Sequence, residues 1–185
     1  MRRVGAARVA SLVLGLAAFS VACDAEATRG DAPASARAEG GGFILETSVP
    51  RRLWGPDEAI QVVTSLTYAG PAPRATIWAS GSGVVAFDLV EVGGRRRMGG
   101  AATSDCASYP YERGVRTAVP FAKSGGWTGE DPDAAFYAAF FRDPQLHLPI
   151  GRWRITASAS GFLAECEMNA PQLELKLAPI DVEVR

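Results

Sequence analysis

The chain has 185 residues, 19 basic and 20 acidic side chains and one histidine, a near-neutral balance that excludes the strongly basic surface nucleic-acid binding requires. That length allows one domain of ordinary size, large enough to bury a core without help from a metal or cofactor. Lys123 and Lys176 are the sole lysines among the basic residues, a bias we read as the codon usage of a GC-rich genome.

Arg2, Arg3 and Arg8 give the chain a cationic start, and residues 9–21 follow without a charge. Such a run is too short to span a bilayer, which takes about 20 apolar residues. A positive head, a short apolar middle and a small residue before the cut mark an export signal. Ala22 is the small residue, and Cys23 follows it. Ser20-Val21-Ala22-Cys23 resembles the bacterial lipobox in its permissive form, with Ser20 where Leu is usual. The resemblance implies cleavage before Cys23, a palmitate-type diacylglyceryl lipid on its thiol, and a membrane anchor on the extracytoplasmic side of the cell envelope. Ordinary secretion, with Cys23 lost or left as a spare thiol, is the alternative. The expected layout is a signal peptide at 1–22, a lipidated cysteine with a flexible tether at 23–42, and one folded domain at 43–185. Losing the three arginines leaves 16 basic against 20 acidic side chains, a net charge of −4.

Residues 24–42 carry no aromatic and no apolar β-branched residue, so they lack the apolar surface that ordering demands. As a coil of 19 residues they would hold the domain about 24 Å from its anchor. Asp24 also resembles the retention mark that follows the cysteine in inner-membrane lipoproteins of enterobacteria. Given export, Cys106 and Cys166 remain as a pair in an oxidising compartment, and a disulfide is the economical reading. It would close a 60-residue loop and stabilise the fold by roughly 4 kcal/mol on the chain-entropy model. Two reduced thiols or a metal pair are the alternatives, but the close spacing and further ligands of a zinc site are missing.

From residue 43 onward, short apolar runs broken by Pro, Gly and Asp predict an all-β domain. Strands are expected at 43–47, at 59–68 with Ile60, Val62, Thr64, Leu66 and Tyr68 facing the core, and at 76–80 with Ile77 inward. Residues 84–92 should run into a tight two-residue hairpin at Gly93-Gly94. Arg95, Arg96 and Arg97 then suit either edge protection or contact with lipid headgroups or an anionic envelope polymer. The pattern loosens between 101 and 129, apart from a strand at 115–122, and this stretch could hold a functional loop. Trp127 sits there among glycines, either folded over the sheet as a lid or contacting a ligand; Tyr109 and Tyr111 are the other candidate binding residues.

Asp131-Pro132-Asp133 reads as a helix start. Phe136, Tyr137, Phe140 and Phe141 then make one aromatic helix face, ending before Pro144. The helix should cap the end of a sandwich. A strand at 152–157 puts Trp153 and Ile155 on one side. Leu173, Leu175 and Leu177 then alternate on odd numbers and Ile180, Val182 and Val184 on even ones, so the parity switch at Ala178-Pro179 predicts a bulge or a change of sheet.

Catalytic patterns are missing: there is no nucleophile elbow, phosphate loop or metal motif. His147 lies between leucines and reads as a partly buried structural histidine. Glu130, Asp131, Asp133 and Asp143 could hold calcium or act as a carboxylate pair, but capping and solvation explain them more cheaply. We therefore expect no enzyme, no cofactor and no bound metal.

Residues Leu66-Thr67-Tyr68-Ala69-Gly70, Ile77-Trp78-Ala79-Ser80, Val84-Val85-Ala86-Phe87-Asp88-Leu89-Val90 and Gly93-Gly94-Arg95 resemble, in their order, bacterial immunoglobulin-like domains of the BsuPI type, known from an intracellular proteinase inhibitor. The likeness covers about residues 60–95 and lacks the family's Asn. Leu148-Pro149-Ile150-Gly151-Arg152-Trp153 is similar to a turn common in sandwich strands. The resemblance implies an immunoglobulin-like antiparallel β-sandwich of about seven to nine strands with one short capping helix. The expected role is a non-catalytic binding or assembly module, anchored to the membrane through its N-terminal lipid and meeting a protein or envelope polymer through strand edges or the loops at 104–131. The alternatives are an envelope protease inhibitor, with residues 107–113 as its inserted loop, and a hydrolase using the acidic cluster.

Overall fold

In a computed structural model, residues 32–166 and 169–185 are described. The expected signal, the lipidation site Cys23 and the first part of the tether lie outside them. The twelve strands among the described residues form two sheets, with one helix, α1 (Ala134–Arg142). The fold is an all-β sandwich.

The central element is β10 (Gly151–Phe162), a strand of 12 residues. Trp153, Ile155, Ala157 and Ala159 alternate inward and are all buried, the period-2 pattern of a half-buried strand. Both flanks of β10 are shared between two neighbours. On one side, β12 (Ile180–Val184) pairs with residues 151–155 and β11 (Gln172–Lys176) with residues 158–162. On the other, β6 (Val85–Glu91) pairs with residues 153–159, and β5 (Arg74–Ala79) then takes over through Phe162 and Trp78. β8 (Ala107–Glu112) pairs with β5, β7 (Arg97–Met98) with β6, and β3 (Leu53–Trp54) runs parallel to β12.

The parity switch at Ala178-Pro179 is a bulge within this sheet. Ile155 pairs with Ile180 and Ser158 with Lys176, so two residues of β10 oppose three of the partner. The Leu177 N–H donates to the Ala157 carbonyl at 3.0 Å, and Pro179, which has no N–H to lose, sits in the extra length. The leucine row and the Ile/Val row thereby reach the same core.

The second sheet is antiparallel in the order β1 (Ala34–Gly40), β2 (Phe43–Val49), β4 (Val63–Tyr68), β9 (Arg116–Val119). β1 corrects the expected tether: the end of that stretch is a strand. Gly40 pairs with Phe43, and the two residues between them, Gly41 and Gly42, have φ of 57° and 79°, the backbone of a type I′ hairpin. Ala34, Ala36 and Ala38 turn toward the core, whereas Arg37 on the outer face donates to Glu46 opposite it at 2.6 Å. Alternating alanines supply an inward face that larger apolar residues ordinarily form. At Gly93-Gly94 the expected two-residue turn is a longer one. Glu91 N–H donates to the Arg96 carbonyl, and Gly93 alone of the two glycines has positive φ, at 82°.

Between the sheets, Phe43, Leu45, Leu66, Ile77, Phe87 and Leu173 fill one half of the core. Trp54, Leu89, Trp153, Ile180 and Val182 fill the other, where Tyr137 and Phe140 of α1 close the end of the sandwich. Phe136 stacks toward Trp153 with ring centres 6.3 Å apart. Trp153 is fully buried, and its indole N–H donates to the Pro149 carbonyl at 2.9 Å. Trp153→Ala should therefore lower the unfolding free energy by about 3–5 kcal/mol, measured by urea denaturation.

Candidate functional site

Where β10 exchanges β6 for β5, the two neighbours must diverge, and the chain between them turns through residues 80–84. A cavity of about 490 Å³ lies at this divergence, lined from both strands. Trp78, Phe162 and Val85 contribute apolar wall, Ser160 and Glu174 come from β10 and β11, and residues 101–106 and 122–124 close over it. Gly161 is required beside it: a Cβ there would meet Ile77 Cγ2 at 2.5 Å and the Trp78 carbonyl at 2.8 Å.

A hydroxyl cluster ties the covering loop to the turn. Ser80 Oγ lies 2.6 Å from Ser82 Oγ and 2.8 Å from Thr103 Oγ1, and it accepts from the Ser82 and Thr103 N–H groups at 3.1 and 3.0 Å. Tyr109 donates its hydroxyl to the Ser80 carbonyl at 2.8 Å. Asp105 accepts from the Gly81 N–H at 3.0 Å. The Thr103 hydroxyl, followed by that N–H, holds the Asp105 carboxyl below the usual carboxylate range. Ser124 Oγ, on the wall, is buried without a hydrogen-bond partner.

The Cys106–Cys166 disulfide, with Cα atoms 6.2 Å apart, lines the same cavity. It fastens the start of β8 to the connection after β10. Of the candidate binding residues, Tyr109 supports the cavity from the neighbouring strand. Tyr111 is corrected: it is a core residue, 7 % exposed, edge-on to Phe43 with ring centres 5.5 Å apart, and burial raises its hydroxyl pKa. Trp127 is 40 % exposed and does not line the cavity. Residues 107–112 form β8, hydrogen-bonded to β5 along its length, and are not the free loop that protease inhibition would need. The Tyr/Pro alternation hid this strand, because Pro110 is tolerated at the sheet edge that β8 forms.

The acidic cluster is split between the two ends of α1, roughly 15 Å apart at 1.5 Å per residue. At the N-terminal end, Arg95 and Arg96 donate to the two Asp133 oxygens at 2.5 and 3.1 Å, and the Arg96 guanidinium lies 4.8 Å from the Phe136 ring centre. Two of the three hairpin arginines therefore clamp the helix. Asp131 accepts from the Asp133 N–H at 2.8 Å, taking the turn-forming role. At the other end, Lys123 donates to the Phe140 and Asp143 carbonyls at 2.7 Å each, satisfying carbonyls that a helix terminus leaves unpaired. Burial lowers the Lys123 pKa, against the opposing pull of Asp143. His147 Nδ1 lies 2.6 Å from Asp143 Oδ2, and neither residue lines the cavity. No group of three or more metal-ligating side chains converges among the described residues.

No family model, curated protein or solved structure matches the chain.

Two outcomes test this account. Replacing Cys106 and Cys166 by serine should lower the unfolding free energy by about 2–4 kcal/mol in non-reducing denaturant melts. The hydrogen bond from Arg95, aided by Arg96, depresses the Asp133 pKa. Its stabilisation is therefore fully present above the unfolded aspartate value of about 4 and lost as pH falls through the lower folded value. Asp133→Asn should flatten the acid side of the melting-temperature profile across that range.

Proposed function

We propose that this chain is a lipid-anchored extracytoplasmic protein whose sandwich is a non-catalytic binding module, with the cavity beside the Cys106–Cys166 bridge as its ligand site. The observation that carries the reading is the bridge at the edge of an open cavity. Disulfides persist in oxidising compartments, and the basic, apolar, Ala22-Cys23 start of the chain supplies a route to one. The bridge also restrains the covering loops, which reduces the ordering cost of binding. The resemblance to BsuPI-type domains accords with a sandwich that presents a surface to a partner.

The non-catalytic reading is supported by how the reactive side chains are engaged. Asp133 is held by two arginines, and Asp143 by His147 and the neighbouring Lys123. The serines of the cavity have no imidazole on the same wall to act as a base.

Labelling with palmitate in the native host tests the anchor. Label should enter the wild-type protein, disappear in Cys23→Ser, and accompany recovery in the membrane fraction. An unlabelled soluble protein whose Cys106 and Cys166 both react with a thiol reagent would sink the reading.

A further inference from the structure

We infer that the cavity takes a small organic cation, an amine or quaternary ammonium compound with an apolar body. The inference rests on the binding reading above and names the class of ligand. At about 490 Å³ the space falls within the range of small-molecule sites, roughly 300–1,000 Å³.

The register of the sheet assembles the recognition surface. Phe162 on β10 and Trp78 on β5 are cross-strand partners, so their side chains leave the same face, and both line the cavity. Two residues back along β10 on that face is Ser160, paired with Glu174 of β11. A carboxylate, a hydroxyl and two aromatic rings therefore lie along one side of the sheet. Asp105 brings a second carboxylate from the covering loop, fixed through the Gly81 N–H. Aromatic faces attract cations through the ring quadrupole, and the two carboxylates reinforce that attraction.

The charges absent from the wall decide against an anion. The chain has 17 arginines, 19 basic residues less two lysines, and none lines the cavity. Lys123 is on the wall, but its ammonium is engaged between the Phe140 and Asp143 carbonyls and over the Phe140 ring. Glu174 makes no ion pair among the described residues. An anion would meet two carboxylates with no free cation, and a neutral ligand would leave both without a counter-charge.

Titration calorimetry on the full chain, with choline, spermidine, glucose and inorganic phosphate as separate probes, tests the inference. At least one ammonium compound should bind saturably and more weakly at high salt, while glucose and phosphate should give no saturable heat. Glu174→Gln, at an exposed position, and Trp78→Leu should each weaken that binding by about three- to tenfold, with far-UV circular dichroism verifying the fold. Ammonium binding that is unchanged in both variants overturns the site assignment. Saturable glucose or phosphate binding lost in Trp78→Leu, with no ammonium binding, overturns the cation but leaves the ligand-binding reading standing. Silence from all four probes overturns the cation and removes the support for a ligand cavity.

Discussion

Hydrogen bonding along β10 is the constraint on which the rest of the sandwich depends. A strand of twelve residues outlasts any one of its neighbours, so each flank is served by two strands in succession. The two handovers are resolved differently. On the β11–β12 side the chain continues through one extra residue, and the ladder is nearly unbroken. On the β6–β5 side the neighbours are separate strands joined by a turn, and the sheet parts. Bulge and cavity are thus two answers to the same mismatch in length.

The inward residues of β10 diminish along the strand, from Trp153 and Ile155 to Ala157 and Ala159 and then Gly161. Large side chains meet α1, where aromatic rings need a broad surface. Small ones face the half of the core where Phe43, Leu45 and Leu66 enter from the other sheet. The helix is held to that first half at both ends by cations: the Arg95–Arg96 pair takes its leading carboxylate and Lys123 its trailing carbonyls. A nine-residue helix has little stability alone, so its position derives from these contacts and from the rings buried beneath it.

Much of this was legible in the sequence because side-chain size followed strand periodicity. Ile77, the alternation in residues 64–68 and the parity switch were readable in that way, the aromatic helix face through its own helical spacing, and the pairing of Cys106 with Cys166 through the cysteine count once export is assumed. Three strands were not, the two-residue β3 among them. β1 carries alanines where an inward strand face ordinarily carries larger residues, and its Gly-Gly turn looked like linker composition; only the register with β2 reveals it. β8 has a proline in its middle, and its place at an edge is a tertiary fact. The cavity was hidden for a related reason. Trp78, Ser160, Phe162 and Glu174 occupy outward positions of three strands, β5, β10 and β11, the middle one longer than its pattern predicts, and nothing local indicates that these outward positions adjoin. Tyr111 illustrates the converse, since an aromatic residue in a polar stretch invites a surface role until the partner strand turns it inward.

The sulfur bridge has one more consequence, for the integrity of a chain exposed to proteases. A single cut in any connection between Cys106 and Cys166 would produce two pieces still joined covalently. Where the cut falls ahead of residue 151, the C-terminal piece carries the long central strand, and it would stay with the rest of the body. Nicked and whole molecules would thus migrate as one species on a gel until reductant separates them.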